Sequence, residues 1–290
     1  MRLDALAGNL RQAHEQGVAG AIGALIGLYS YAESITTTDL HTRDALAGAI
    51  IGGSIGLFVS AVGPLRDGAR LALARAAVWG AITGAVGGAV GLLVGEWVLG
   101  TFQGGIIGRS LGWTVLGLGI GSSQWAARRS TSRLVFGLIG GGLGGFLGGF
   151  LFESLRQAMG NRLDLEQGLG ILALGAGLGV CLALVEQVLR RAWVVVLSGR
   201  QEGRSYLLAN TISRLGLDER AEVGIFGDAE VDRRHAEIVR TGGRYELRPL
   251  ASGSRTRVND VPVTVATPLA DGDRIMLGGT RLLFRCKGGA

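Results

Sequence analysis

Cysteine, histidine and proline are scarce in this chain, at two, three and four residues of 290. Cys181 sits in an apolar stretch and Cys286 near the end, so they predict neither a disulfide nor a redox pair. Three scattered histidines do not make a zinc-ligand pattern. No serine, cysteine or carboxylate constellation accompanies them, and no glycine run ends in the Gly-Lys-Ser/Thr of a phosphate loop. No catalytic residue, metal or cofactor is therefore expected. The first residues, MRLDALAGNLRQAHEQG, lack the apolar core of a secretory signal and read as a polar amphipathic helix on a membrane face. Blocks of like charge are missing too: 14 arginines stand against 11 acids up to Arg191, and 15 basic residues against 12 acids beyond it. A net charge of +6 spread so evenly gives no nucleic-acid footprint, and no nucleic-acid partner is expected.

What is abundant is glycine, 52 residues, of which 39 precede Ala192. Leu, Ile, Val and Ala fill the space between them, which excludes both a collagen repeat and a disordered tract. Apolar stretches recur at 17–32, 45–64, 76–99, 104–125, 134–152 and 168–187. At 1.5 Å per residue most can cross a hydrocarbon core of ~30 Å, the first marginally. The glycines fall four apart, as in Gly48, Gly52 and Gly56; Gly87, Gly91 and Gly95; and Gly137, Gly141, Gly145 and Gly149. Such rows line one helix face and let a second backbone approach closely, so they predict tight helix pairing and a homo-oligomer in contact with membrane lipids. With a cytoplasmic N-terminus, ten arginines fall in inside segments and four in outside segments. That is the positive-inside pattern of a multi-pass inner-membrane protein with both termini in the cytoplasm.

Residues 79–97 align with 136–154 at an offset of 57, and 112–121 with 170–179 at an offset of 58, so two helical hairpins of one kind adjoin, with 17–64 a divergent third. Glu96 and Glu153, and by extension Glu33, end equivalent helices. Two readings stay open: an intramembrane carboxylate ring for cations or protons, and, favoured here, acids at the outer water interface. No proline is expected within the apolar spans, which weakens a transporter reading.

From Trp193 the period changes to short β-branched and aromatic runs separated by Gly, Asp or Asn turns, the pattern of a β-sandwich. The runs carry LGL at 215–217, DRRHAEI at 232–238, GRYELRPL at 243–250, SGSRTRVND at 252–260 and LADGDRIMLGGTRLLFR at 269–285. In order and spacing these resemble the forkhead-associated (FHA) domain over about 192–286. The resemblance implies an eleven-stranded sandwich whose loops read phosphothreonine peptides. Gly216 and His235 match the structural motif, and the resemblance implies that His235 braces the binding loops. The contact residues it implies are Leu217, Asp232, Arg233, Arg234, Ser254, Arg255, Thr256 and Asn259. Several depart from the family: Leu217 replaces the arginine that forks onto phosphate, Asp232 the serine that donates to it, and Ser254 and Arg255 the Asn-Gly turn. Bidentate guanidinium pairing and hydroxyl donation, the physical means of holding a phosphate, are both missing at these positions.

The expected architecture is thus an α-helical polytopic membrane bundle of about six helices (1–191) followed by a cytosolic all-β FHA-like sandwich (192–290). The favoured function is a membrane scaffold or adaptor for a cytosolic protein partner, independent of phosphate, with a link to Ser/Thr kinase signalling implied only by resemblance. A channel or transporter gated by its soluble domain, and a phosphothreonine-dependent adaptor, are the alternatives.

Overall fold

The computed structural model describes residues 2–34, 39–102, 105–128, 131–159, 163–250 and 255–287. The chain divides into two compact units, Met1–Val188 and Leu189–Ala290.

The first unit holds six helices: α1 (Arg2–Ser34), α2 (Leu40–Asp67), α3 (Arg70–Phe102), α4 (Gly105–Arg128), α5 (Thr131–Met159) and α6 (Leu163–Leu189). Asp39 caps α2, its carboxylate accepting the Thr42 amide at 2.8 Å, and Gly68 ends it in the left-handed conformation (φ 71°). Pro64 lies inside α2, contrary to the expectation that the spans would be free of proline. It stands in the last turn, where losing one amide donor costs little helix. Four helices are long and apolar enough to cross a membrane, over Leu40–Asp67, Arg70–Val98, Thr131–Ala158 and Gly168–Leu189. The other two are more polar: α1 begins with a charged half running to Gln16, and α4 carries Arg109, Ser110, Ser122 and Ser123.

Glycine decides how these helices pack. A Cβ on Gly52 would overlap the carbonyl oxygen of Gly84, so α2 and α3 meet backbone to backbone. The same contact recurs between Gly117 of α4 and Gly141 of α5, and between Gly175 of α6 and Gly20 of α1. The repeat seen in the sequence is therefore a pseudo-threefold of antiparallel pairs, in which α1 closes onto α6. Gly87 and Gly91 of α3 face Gly119 and Gly112 of α4, where Gly95 also packs. Gly137 meets Gly121, and Gly145 and Gly149 lie against Trp113. These rows are thus occupied by contacts within a single chain and give no argument for an oligomer.

Between the pairs, Ile51, Leu116 and Leu174 stand at equivalent positions of α2, α4 and α6, with Ile55, Ile120 and Leu178 one turn away. All six are buried in one cluster. Outward, α1, α3 and α5 each present an exposed aliphatic ridge: Val18, Ile22 and Ile26; Ile82, Val86 and Val90; Ile139, Leu143 and Leu147.

The second unit is a β-sandwich of eleven strands: β1 (Ala192–Val196), β2 (Ser205–Leu207), β3 (Ile212–Gly216), β4 (Val223–Gly224), β5 (Ala236–Thr241), β6 (Arg244–Pro249), β7 (Thr256–Val258), β8 (Val261–Pro262), β9 (Thr267–Leu269), β10 (Arg274–Leu277) and β11 (Thr280–Cys286). One sheet runs β2-β1-β11-β10-β7-β8 and the other β4-β3-β5-β6-β9. Alternate residues turn inward, among them Val194, Leu215, Ile238, Leu247, Ile275, Leu282 and Phe284, and close a core separate from that of the helices. Ala192 pairs with Cys286, so the start of β1 and the end of β11 share one end of the sandwich. Thr280, at the start of β11, lies at the other, about 20 Å away at ~3.3 Å per residue.

Candidate functional site

At that far end the turns after β3, β4 and β10 converge, and the Gly278 amide of the last donates to Arg255 O, just before β7, at 3.1 Å. Gly216 closes β3 so near the following loop that a Cβ would stand 2.7 Å from the Asp232 carbonyl oxygen and overlap that of Arg233. Only glycine fits. The approach lets the Leu217 amide donate to Asp232 O at 3.1 Å and the Asp218 amide to Arg233 O at 3.2 Å. Leu217 and Asp232 are thereby held side by side. The Leu217 side chain packs against the sandwich core, whereas the Asp232 carboxylate is 58% exposed.

His235 lies beneath them, fully buried. Its Nδ1 accepts the Asp232 amide at 3.1 Å, its own amide donates to Leu215 O at 3.0 Å, and its carbonyl accepts the Leu250 amide at 3.0 Å. Accepting at Nδ1 places the proton on Nε2, which is buried with no hydrogen-bond partner among the described residues. Burial pushes the imidazole below its ordinary value of 6.5, outweighing the upward pull of Asp232 and Asp228. A neutral histidine knitting three backbone segments together is a brace.

A second brace escaped the sequence reading. Burial would raise the Asp228 carboxyl, but it accepts Thr280 Oγ1 at 2.7 Å and the amides of Glu230 and Gly279 at 3.0 Å each, and these hold it below the usual carboxylate range. The β4–β5 loop is thereby tied to the β10–β11 turn. Buried Gln201 likewise donates to the Tyr206 hydroxyl at 2.7 Å and accepts the Phe226 amide at 2.8 Å. Phe226, Gly279 and Thr280 lie 25 to 52 residues from the side chains they bond, beyond the reach of any local pattern.

The remaining expected contact residues separate. Arg233 and Arg234 are exposed on the loop. Arg255 forms an ion pair with Glu230, an acid the sequence reading did not single out. Thr256 is buried, which removes it from a contact surface. Asn259, at φ 49°, donates to Asp273 at 2.8 Å and accepts the Arg274 amide at 2.9 Å, so its side chain serves the β7–β8 turn. Ser254 lies outside the described residues.

In the helical unit, the Glu96 carboxylate lies 3.0 Å from His41 Nδ1, within reach of a ring N–H. Glu153 does not face water as expected: its side chain is 2% exposed. Arg156 Nε donates to it at 2.9 Å, and Arg109 of the neighbouring helix stands 3.6 Å away. Two guanidinium groups neutralise it, which is what makes burial tolerable. Among the described residues no group of His, Cys, Asp and Glu is arranged to hold a metal ion.

Comparison with known proteins adds to this geometry. Residues 195–288 match the family described as the inner membrane component of the T3SS, cytoplasmic domain. An oxoglutarate dehydrogenase inhibitor of Corynebacterium jeikeium is 34% identical over 93 residues, which are 32% of this chain and 63% of that protein. The glycogen accumulation regulator GarA of Mycolicibacterium smegmatis is also 34% identical over 93 residues, 32% of this chain and 58% of the relative. The chain thus spans about three-fifths of the length of these relatives. Among solved structures, one from an analysis of phosphothreonine-dependent FHA domain interactions is 32% identical, covering 34% of this chain and 99% of that one, with a TM-score of 0.31. The FhaA FHA domain complexed with the intracellular domain of Rv3910 is 34% identical, covering 32% and 99%, with a TM-score of 0.30.

Proposed function

We propose that this chain, whose C-terminal unit is an FHA domain, is an integral inner-membrane adaptor that gathers a cytosolic protein partner at the loop end of its sandwich without requiring phosphate on that partner. FHA domains are interaction modules rather than enzymes, and the adaptor reading builds on that. Residues 1–191 lie in lipid and residues 192–290 in the cytosol, with both termini on the cytoplasmic side.

Four observations support the membrane assignment: the four spanning-length helices, the aliphatic ridges on α1, α3 and α5, the ten-to-four arginine bias, and tryptophan placement. Trp79 and Trp97, both exposed on α3, are 18 residues apart, about 27 Å, close to the thickness of a hydrocarbon core. The aliphatic residues packed between α2, α4 and α6 favour an anchor over a conduit, since an ion would have to displace Ile51, Leu116 and Leu174. That observation supports the anchor reading.

Phosphate independence rests on one observation above all: where the family places a guanidinium and a hydroxyl side by side, this chain holds Leu217 against the core and an exposed Asp232. A dianionic phosphate there meets a carboxylate of the same sign and no fork of donors. Arg255, one of the arginines at this end of the sandwich, is committed to Glu230. The partner class is a protein recognised by shape and by unmodified side chains. Several anchored copies in one membrane patch raise its effective concentration.

The test is capture from lysate by the full chain in lipid nanodiscs, with and without prior phosphatase treatment. Equal recovery of the same partners supports the reading. Loss of all partners after phosphatase overturns it in favour of a phosphothreonine-dependent adaptor.

A further inference from the structure

The two sheets of the sandwich present different chemistry to solvent. The five-stranded sheet holds four arginines and two acids, and its charge is partly offset because Arg214 faces Glu237 in register and Arg248 pairs with Glu246 at 3.2 Å. The six strands of the other sheet hold four arginines, Arg257, Arg274, Arg281 and Arg285, and no acid.

Strand alternation gathers these arginines on one outer face, because Thr256, Val258, Ile275, Leu277, Leu282 and Phe284 point inward. Cross-strand register then interleaves them with apolar side chains. Arg257 and Arg281 flank Met276, Arg274 lies beside Leu283, and Arg285 lies beside Trp193. The acids nearest in sequence, Asp271 and Asp273, sit in the turn before β10 and are held by Arg285 and Asn259. Arg257, Arg274 and Arg281 have no ion pair among the described residues. At the end of the sheet where β1 begins, Arg190 stacks on Trp193 at 4.1 Å from the ring centre.

We infer that this arginine-rich outer face of the six-stranded sheet is a docking surface for anionic phospholipid headgroups. The inference rests on the reading that the helical unit lies in lipid. Charge complementarity selects the occupant, since unpaired guanidinium groups bind phosphate oxygens in a fork and are weakly hydrated. Interleaved Met, Leu and Trp suit the boundary between headgroup and acyl chain. Continuity of the chain points the same way: only Arg190 and Arg191 separate the end of α6 at Leu189 from the start of β1 at Ala192, and Gly168–Leu189 is a spanning-length helix. A basic face so tethered meets the lipid surface at high effective concentration. The binding loops, at the opposite end of β11 from the tether, remain available to a protein partner.

The experiment uses the full chain reconstituted in vesicles of phosphatidylcholine, alone or with added phosphatidylglycerol. In a Cys181→Ala, Cys286→Ala background, a fluorophore is placed at Met276→Cys, or at Arg244→Cys on the other sheet, and quenching by headgroup-level spin-labelled lipid is read. The expected result is quenching at position 276 in anionic vesicles only, and none at position 244. Each arginine near an anionic surface is worth about fivefold in occupancy, so R257E/R274E/R281E lowers the quenched fraction at least about tenfold. R257K/R274K/R281K retains most of it, which separates lost charge from lost fold. Position 276 unquenched in anionic vesicles, or quenched equally in both compositions, overturns the inference while the chain floats with the vesicles. A chain that does not float with vesicles overturns the membrane reading itself. Retention of a labelled oligonucleotide through the same arginines, with position 276 unquenched, assigns the face to nucleic acid and also overturns the inference.

Discussion

His235 can brace the loops only while it is neutral, because protonating Nδ1 removes the acceptor that holds the Asp232 amide. Its folded pKa lies below the unfolded value near 6.5, so the unfolded chain binds the extra proton first as pH falls. Stability from this group is full above about 6.5 and is lost as pH falls toward the lower folded pKa. Amide exchange of the full chain in detergent, corrected for intrinsic rates, should therefore show protection at Asp232 and Leu217 falling between pH 7.5 and about 5. Protection that is flat across that range would count against the brace. Glu153 carries a second expectation at this scale. Glu153→Ala removes the charge-assisted hydrogen bond from Arg156 and the approach of Arg109, and since both arginines are nearly half exposed it should destabilise the helical unit by about 2 kcal/mol in thermal or denaturant unfolding. A change within experimental error would mean that the pair is idle. Residues of this kind were only partly legible in the sequence. His235 stood out through its motif, but Asp228 and Glu230 have partners supplied by strands far along the chain, and burial of Glu153 depends on an arginine from another helix.

Among the helices, one kind of contact carries the architecture. Gly52, Gly117 and Gly175 occupy the same place in three antiparallel pairs, and at each a single methyl group would meet a backbone carbonyl that cannot rotate away. Gly52→Ala, Gly117→Ala and Gly175→Ala should each cost about 2 kcal/mol by overpacking. Gly63→Ala, at a helical glycine with open space around it, should be neutral or stabilise by up to ~1 kcal/mol. Thermal unfolding in detergent checks all four, and equal effects at Gly52 and Gly63 would contradict the pairing. The spacing of the glycines disclosed that helices pair closely and that hairpins repeat. It did not disclose which row meets which, because a row four apart is equally suited to a second chain. The facing of α2 by α3, of α3 and α5 by α4, and the closure of α1 onto α6 show the rows filled from within. On the β side, alternation and turn residues made the strands readable. The difference between the two sheet faces was harder to see, since it depends on cross-strand register over residues that are distant in sequence.

At the scale of the whole molecule, a six-helix unit with a filled interior precedes an FHA-like sandwich that carries Leu217 and Asp232 at its loop end. The helical unit was visible in composition, through glycine and aliphatic runs, and four of its six helices are long and apolar enough to cross a membrane. The domain was visible through motif order. What stays local is the decisive pair, Leu217 and Asp232, and the most direct measurement addresses it. The full chain in nanodiscs is titrated with a degenerate phosphothreonine peptide pool and with its unphosphorylated counterpart, alongside Leu217→Arg combined with Asp232→Ser. The account predicts no preference for the phosphorylated pool in the natural chain and a preference of tenfold or more, about 1.4 kcal/mol, gained by the double variant. A natural chain that already prefers phosphothreonine by tenfold, and loses that preference when Arg233, Arg234 or Arg255 is replaced, would contradict it.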